Sequence, residues 1–353
     1  MKAEYITGIL VAILVIGGVV FLFAKPSRSD INSQVEKQSM GTPYTEIVNP
    51  SGFVNTDGVT IKQLIGKKVI IVDFLTYTCI NCQRTFPYLN AWYDKYKDQG
   101  LEIVGIHTPE FAFEKDINNV REAMQKFGIK FPIVLDNDYS TWNAYKNQYW
   151  PRKYIIDIHG NVVYDHIGEG GYEETEQEIQ KLLDERAQVL GEAMLGDNSL
   201  ASTAVPETEI SAQSPETYFG SSRNTYLGNG TSHIASTQAF VLPKTFDLNK
   251  LYLGGTWNII PEYAEANVGA SVVYTYNAKS VYIVASADNP VQVEVWQDGK
   301  LVGDTSNTDV KNGVVTIKDS RLYTLINNAK AGVHTLELRV KGGGLQAYTF
   351  TFG

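Results

Sequence analysis

Two cysteines occur in 353 residues, and both fall in the four-residue run Cys79-Ile80-Asn81-Cys82. A Cys-x-x-Cys pair can exchange disulfides, supply half of a zinc site, or be inert. A structural zinc needs four ligands. The five histidines (His107, His159, His166, His233 and His334) contain no close pair, and there is no second Cys-x-x-Cys, so zinc is set aside. Stapling is a weak reason to keep the pair: in the chain-entropy model a four-residue loop gains only about 2 kcal/mol, against about 4.7 for a 100-residue loop. Thiol–disulfide exchange is the chemistry that remains.

The elements around the pair suit that chemistry. Val69–Leu75 is a continuous apolar run, read as a strand buried on both faces. From Cys82 to Lys97 the chain turns helical, with Phe86, Leu89, Tyr93 and Tyr96 on a 3–4 spacing. A helix N-terminus stabilises a thiolate in its first turn. Cys79, ahead of the helix and accessible, is the expected nucleophile. Cys82, inside the first turn and shielded, is the expected resolving thiol. Further along, Leu101–Ile106 and Phe131–Leu135 read as strands. Lys115–Phe127 reads as a helix stopping at Gly128. Tyr154–Ile158 and Val162–Ile167 form a hairpin, and Glu173–Leu190 is a last helix. This alternation predicts an α/β domain over residues 41–190, a mixed sheet flanked by helices.

The run Val72-Asp73-Phe74-Leu75-Thr76-Tyr77-Thr78-Cys79-Ile80-Asn81-Cys82 resembles the active-site strand and turn of thioredoxin-fold proteins. Together with His107-Thr108-Pro109-Glu110-Phe111-Ala112-Phe113-Glu114 and Tyr149-Trp150-Pro151, it resembles the DipZ-type membrane-anchored thioredoxins. These are relatives of TlpA and ResA linked to cytochrome c biogenesis. The resemblance runs from about residue 45 to the end and includes the C-terminal β domain. It implies a membrane-anchored thiol–disulfide oxidoreductase, acting as a reductant of protein disulfides, with no cofactor beyond the redox-active Cys79–Cys82 disulfide. It implies a buried acid at Asp73 that relays a proton to or from Cys82. It also implies a cis-proline at Pro151 after Trp150, beside a backbone edge free to pair with a client peptide, and an acid at Glu110 that tunes the cysteines. An ordinary helix-start carboxylate is the alternative for Glu110. Expected partners are a membrane electron donor of the CcdA/DsbD type, acting as a separate molecule, and clients such as apocytochrome c. Thr78 replaces the tryptophan of thioredoxin, and Ile80-Asn81 replaces Gly-Pro. The potential is therefore open across the known Cys-x-x-Cys range of about −270 to −120 mV. A thiol peroxidase is a minor alternative: Thr76 fits a T-x-x-C, but Val72 stands where a peroxiredoxin has proline.

The rest of the chain sets the context. Ile6–Ala24 is uncharged and 19 residues long, enough to span about 30 Å of hydrocarbon as a helix. Residues 1–25 are therefore expected to be a single transmembrane anchor, with a cleaved signal peptide as the rival. The soluble parts are expected on the extracytoplasmic side of the cell membrane. Residues 26–40 read as a tether and 191–215 as a linker rich in Ala, Ser, Thr, Glu and Pro. Residues 216–353 show short alternating runs, among them Ser271–Tyr276, Ser280–Ser286 and His334–Val340, with an Asp298-Gly299 turn. They predict an all-β sandwich of jelly-roll type. Trp257, Trp296, Tyr274, Tyr276 and Tyr282 could stack on sugar rings, which suggests an envelope adaptor that binds glycan. The competing and favoured reading puts them in the core. A charged fraction of 20% and an aromatic fraction of 11% indicate a globular chain, and the net charge of −9 argues against nucleic acid as a partner. Scarce thiols suit an oxidising compartment, where stray cysteines would be trapped by exchange.

Overall fold

The computed structural model describes residues 41–206, 212–304 and 308–353. The 6–24 segment and the tether lie outside these residues. No helix among the described residues is long and apolar enough to cross a membrane.

The first half is a seven-stranded mixed sheet in the order β1-β7-β6-β3-β4-β5-β2. Its strands are Thr42–Pro43, Gly52–Val54, Val69–Leu75, Leu101–His107, Ile133–Leu135, Arg152–Ile156 and Asn161–Ile167, β1 to β7 in chain order. The central strand β3 pairs in parallel with β4 and antiparallel with β6. All seven of its residues are buried, six of them apolar and the seventh Asp73. Two apolar clusters cover the sheet, one on each side of β3. One holds Ile71, Leu75, Phe86, Leu89 and Trp92; the other holds Ile70, Val72, Phe74 and Trp142. The helix after β3 spans Ile80–Tyr96, and the last helix spans Tyr172–Leu190.

Three local expectations change. The helix expected over 115–127 is broken. A 3-10 turn at Ala112–Lys115 ends at Asp116, which caps a separate helix Ile117–Lys126 by accepting the Asn118 N–H at 2.8 Å. A short helix, Ser140–Ala144, was missed, because Asp136 rather than apolar periodicity fixes it: its carboxylate accepts the Thr141 and Trp142 N–H groups. The stretch expected to be a plain linker folds back in its first part. Leu195, Ala201 and Val205 pack on the core, and the Glu176 carboxylate accepts the Ala201 and Ser202 N–H groups.

The second half is β throughout among the described residues, with ten strands, β8 (Thr217–Tyr218) to β17 (Gln346–Phe352). Its strands are joined into one continuously hydrogen-bonded sheet that closes on itself, since β12 also pairs with β17. The reason is strand length. Ser271–Tyr276 and Ser280–Ser286 are one strand, β12 (Ser271–Ser286), and His334–Val340 is the end of a 20-residue strand, β16 (Arg321–Val340). β12 pairs with β10 (Leu251–Ile259) at its start and with β17 at its end, across register shifts near Ala278–Ser280 and Val281–Tyr282. Bulges of this kind bend a strand without ending its pairing. Trp257, Tyr274 and Tyr276 are buried in the core of this half. Tyr282 faces the first half near Arg84, and Trp296 lies beneath the Arg339 guanidinium. The five rings form no shared platform for a sugar.

The halves are joined by an apolar seam. Phe111, from the loop after β4, is buried with Val284, Leu322 and Tyr348 from the β half. Phe111 and Phe113 meet Tyr348 edge-on at 5.0 and 4.9 Å. Tyr77 Oη donates to the Ser320 carbonyl at 3.2 Å, and the Ala112 N–H donates to Glu262 at 3.1 Å.

Candidate active site

Cys79 is the residue that caps the helix, with extended backbone, and its Sγ accepts the Cys82 N–H at 3.4 Å. The first cysteine is half-buried and the second is fully buried. Both are free thiols. This asymmetry follows from position. The capping residue stands outside the first turn, whereas the residue three further on faces inward against the sheet. Burial, then the hydrogen bond and charge of Cys79, hold the Cys82 thiol well above the ordinary thiol range. The Trp150–Pro151 peptide bond is cis. The Trp150 carbonyl lies 3.8 Å from Cys79 Sγ, and the Trp150 ring packs on Trp142 at 4.3 Å.

Beneath the pair lies Asp73. Neither carboxyl oxygen has a hydrogen-bond partner, and burial raises its pKa to about 7 against the opposing pull of Lys153. Lys153 is its register partner on β6 and is itself fully buried. Burial lowers the Lys153 pKa, opposed by Asp73 and Cys82. Sequence reasoning missed Lys153, because a lysine inside a short strand gives no signal of which face it takes until the register is known.

Glu110 stands near the cysteines, in the wall of the cavity that Cys79 also lines. Its carboxylate accepts from Arg223 Nη1 at 2.7 Å and from Tyr218 Oη at 2.8 Å, so it faces the β half. The acid that serves the cysteine loop is Glu114. It is fully buried and accepts the Thr78 hydroxyl at 2.6 Å and the Thr78 N–H at 3.3 Å. Its other oxygen accepts the N–H groups of Glu110 and Phe111. Burial raises its pKa to about 7, against the hydrogen bonds that favour the charge. The 3-10 turn at Ala112–Lys115, unforeseen from periodicity, places it there. His107, at the end of β4, is buried and stacked on Tyr77, and burial lowers its pKa to about 3.

A cavity of about 230 Å³ opens against Cys79. Thr78, Ile80, Asn81 and Trp150 line it from the first half together with Glu110. Glu216, Tyr218, Arg223, Val284 and Thr351 close it from the β half. Among the described residues, no group of three or more His, Cys, Asp or Glu is placed to hold a metal ion.

A Cys-x-x-Cys capping the helix after a central strand, over a buried carboxyl and beside a cis-proline, defines a thioredoxin-fold dithiol centre. A family profile described as "Redoxin" matches residues 46–183, and one described as "Thioredoxin like C-terminal domain" matches residues 214–353. Protein DipZ of Mycobacterium tuberculosis (strain CDC 1551 / Oshkosh) is 33% identical over 343 residues, 96% of this chain and 46% of that protein. The chain thus spans about half the length of that relative. Thiol-disulfide oxidoreductase YkuV of Bacillus subtilis (strain 168) is 30% identical over 143 residues, 40% of this chain and 95% of YkuV. Thiol-disulfide oxidoreductase ResA of Bacillus thuringiensis (strain Al Hakam) is 34% identical over 134 residues, 37% of this chain and 74% of ResA. The chain belongs to the thioredoxin-like thiol–disulfide oxidoreductases, in the group that includes DipZ and ResA.

Proposed function

We propose that this protein reduces protein disulfides outside the cytoplasm while tethered to the membrane by residues 6–24. The observation that carries the reading is the asymmetry of the dithiol: Cys79 open to a cavity, Cys82 buried near an unpartnered carboxyl of raised pKa. The Cys79 thiolate attacks one client sulfur, the client S–S bond breaks, and a mixed disulfide forms. Asp73, ionised in part near neutrality, takes the proton of Cys82. The Cys82 thiolate then attacks Cys79 Sγ and releases the second client thiol. Two electrons pass from the dithiol to the client, and a membrane donor of the CcdA/DsbD type restores them. Apocytochrome c, whose cysteines must be reduced before haem attachment, is the proposed client.

The test is insulin-type disulfide reduction with Cys79→Ser and Cys82→Ser. Loss of turnover in both, with a mixed disulfide accumulating in Cys82→Ser, is expected. Turnover unaffected by either substitution would sink the reading. A potential of the pair near −270 mV supports a reductant, and one near −120 mV an oxidant.

A further inference from the structure

In the wall of the Cys79 cavity, Glu110 and three residues of the β half form a hydrogen-bond chain with one proton too few. Tyr218 Oη lies 2.8 Å from Glu110 Oε1 and 2.7 Å from Glu216 Oε2, and Arg223 Nη1 lies 2.7 Å from the same Glu110 oxygen. A phenol has a single proton to donate. Glu110 Oε1 already accepts from the Arg223 guanidinium, and the phenol proton is placed on that same oxygen. The second contact then closes only when Glu216 itself carries a proton and donates it to the phenol oxygen, since two bare acceptors at this distance repel. The phenol does not supply the missing proton, because burial and then the charges of Glu110 and Glu216 push its own ionisation upward. Glu216 is exposed at the cavity rim, yet the protein around its carboxyl and, second, the charge of Glu110 raise its pKa to about 7. The other charged group facing it is Arg223, which opposes the rise. Beyond Glu110 the next titratable groups are Glu114, whose carboxylate accepts the Glu110 N–H, then Tyr139 and Glu262.

The same cavity holds Cys79. Glu216 stands in the wall of the same cavity of about 230 Å³ into which a client disulfide attacked by Cys79 would enter. We propose that Glu216, supplied by the β half, is the general acid that protonates the sulfur leaving the client disulfide. The assignment rests on Cys79 as the nucleophile. The Cys79 thiolate forms a bond to one client sulfur while the client S–S bond breaks, and that bond's electron pair goes to the departing sulfur. Glu216 gives its proton to that sulfur, which departs as a thiol. The resulting carboxylate regains a proton from solvent at the rim. The substrate class this favours is an aliphatic protein disulfide, whose thiolate is a poor leaving group without a proton.

The experiment is single-turnover oxidation of the reduced full chain by two neutral disulfides. One is hydroxyethyl disulfide, whose alkyl thiolate leaves poorly. The other is a dipyridyl disulfide, whose thiolate leaves unaided. In the unsubstituted protein, the alkyl-to-dipyridyl rate ratio is expected to fall as pH rises through about 7. The thiolate fraction of Cys79 cancels in this ratio. In Glu216→Gln the alkyl rate is expected to fall at least about tenfold more than the dipyridyl rate, a modest share of the usual general-acid contribution. Glu216→Asp should restore part of the difference. A ratio independent of pH, or equal losses on both disulfides, overturns the assignment while leaving Cys79 as nucleophile. If neither disulfide oxidises the protein in a Cys79-dependent way, the nucleophile reading fails as well.

Discussion

Replacing Asp73 by asparagine tests the buried acid directly. The side chain is fully buried, and burial raises its pKa from 3.8 to about 7. At 1.36 kcal/mol per unit, this is a differential of about 4 kcal/mol. The sign follows from proton counts. Below pH 3.8 the carboxyl is protonated in both folded and unfolded chains, so the site costs nothing. Between 3.8 and about 7 the unfolded chain ionises and the folded one does not, so stability falls as pH rises, and the full loss is reached above about 7. Asparagine is nearly isosteric with the protonated acid and does not ionise. Asp73→Asn should therefore match the unsubstituted protein to within about 1 kcal/mol at pH 4 and exceed it by up to about 4 kcal/mol at pH 8.5. The figure is a ceiling, because the substitution also removes the anion that favours a charged Lys153. Denaturation by guanidinium, followed by helical ellipticity, gives the measurement. Among the described residues the α-helices all lie between Ile61 and Leu190, so the signal reports the half that carries Asp73. The same variant should slow the resolving step at neutral pH and lengthen the life of the mixed disulfide. A stability difference equal at both pH values, or a variant that is weaker at pH 8.5, would refute the reasoning.

Other outcomes follow from the same geometry. His107 is buried with its pKa lowered from 6.5 to about 3. The folded state refuses a proton that the unfolded state accepts, so stability is full above about pH 6.5 and is lost as pH falls toward 3, by about 5 kcal/mol at most. His107→Asn should flatten that part of the pH–stability curve relative to the parent, and an unchanged slope would count against it. Phe111→Ala should cost about 3 kcal/mol through the seam it fills and uncouple the calorimetric transitions of the two halves. A single sharp transition at the parent midpoint would contradict the seam. The Glu110–Arg223 pair, with side-chain exposures of 11% and 41%, should show a coupling energy of about 1 kcal/mol in a double-mutant cycle, weakened by salt.

The central strand, the helix after it and the asymmetry of the two cysteines were legible in the sequence. Each depends on residues close together in the chain. The apolar run of β3 has to be buried, the 3–4 spacing has to be helical, and a cysteine ahead of such a helix has to cap it. Asp73 could be located for the same reason, six residues before Cys79 on the same strand. Strand boundaries and the joining of β12 into one bent strand were not legible, because bulges depend on the partner strand rather than on alternation.

The sequence by itself determined that this chain carries a single dithiol, placed at the start of a helix and able to exchange disulfides. Only the tertiary structure decided which acids serve it. Glu110 and Glu114 are four residues apart and look equivalent in the sequence, yet one faces Arg223, 113 residues away, and the other is buried beneath Thr78. Lys153 meets Asp73 only through the register of β6 on β3. Glu216 and Tyr218 line the Cys79 cavity only because Phe111 and Tyr348 seat the β half over it. The cause is common to all three. Proton affinity and access are set by burial and by charges within a few ångströms, and those neighbours come from parts of the chain that local pattern does not connect.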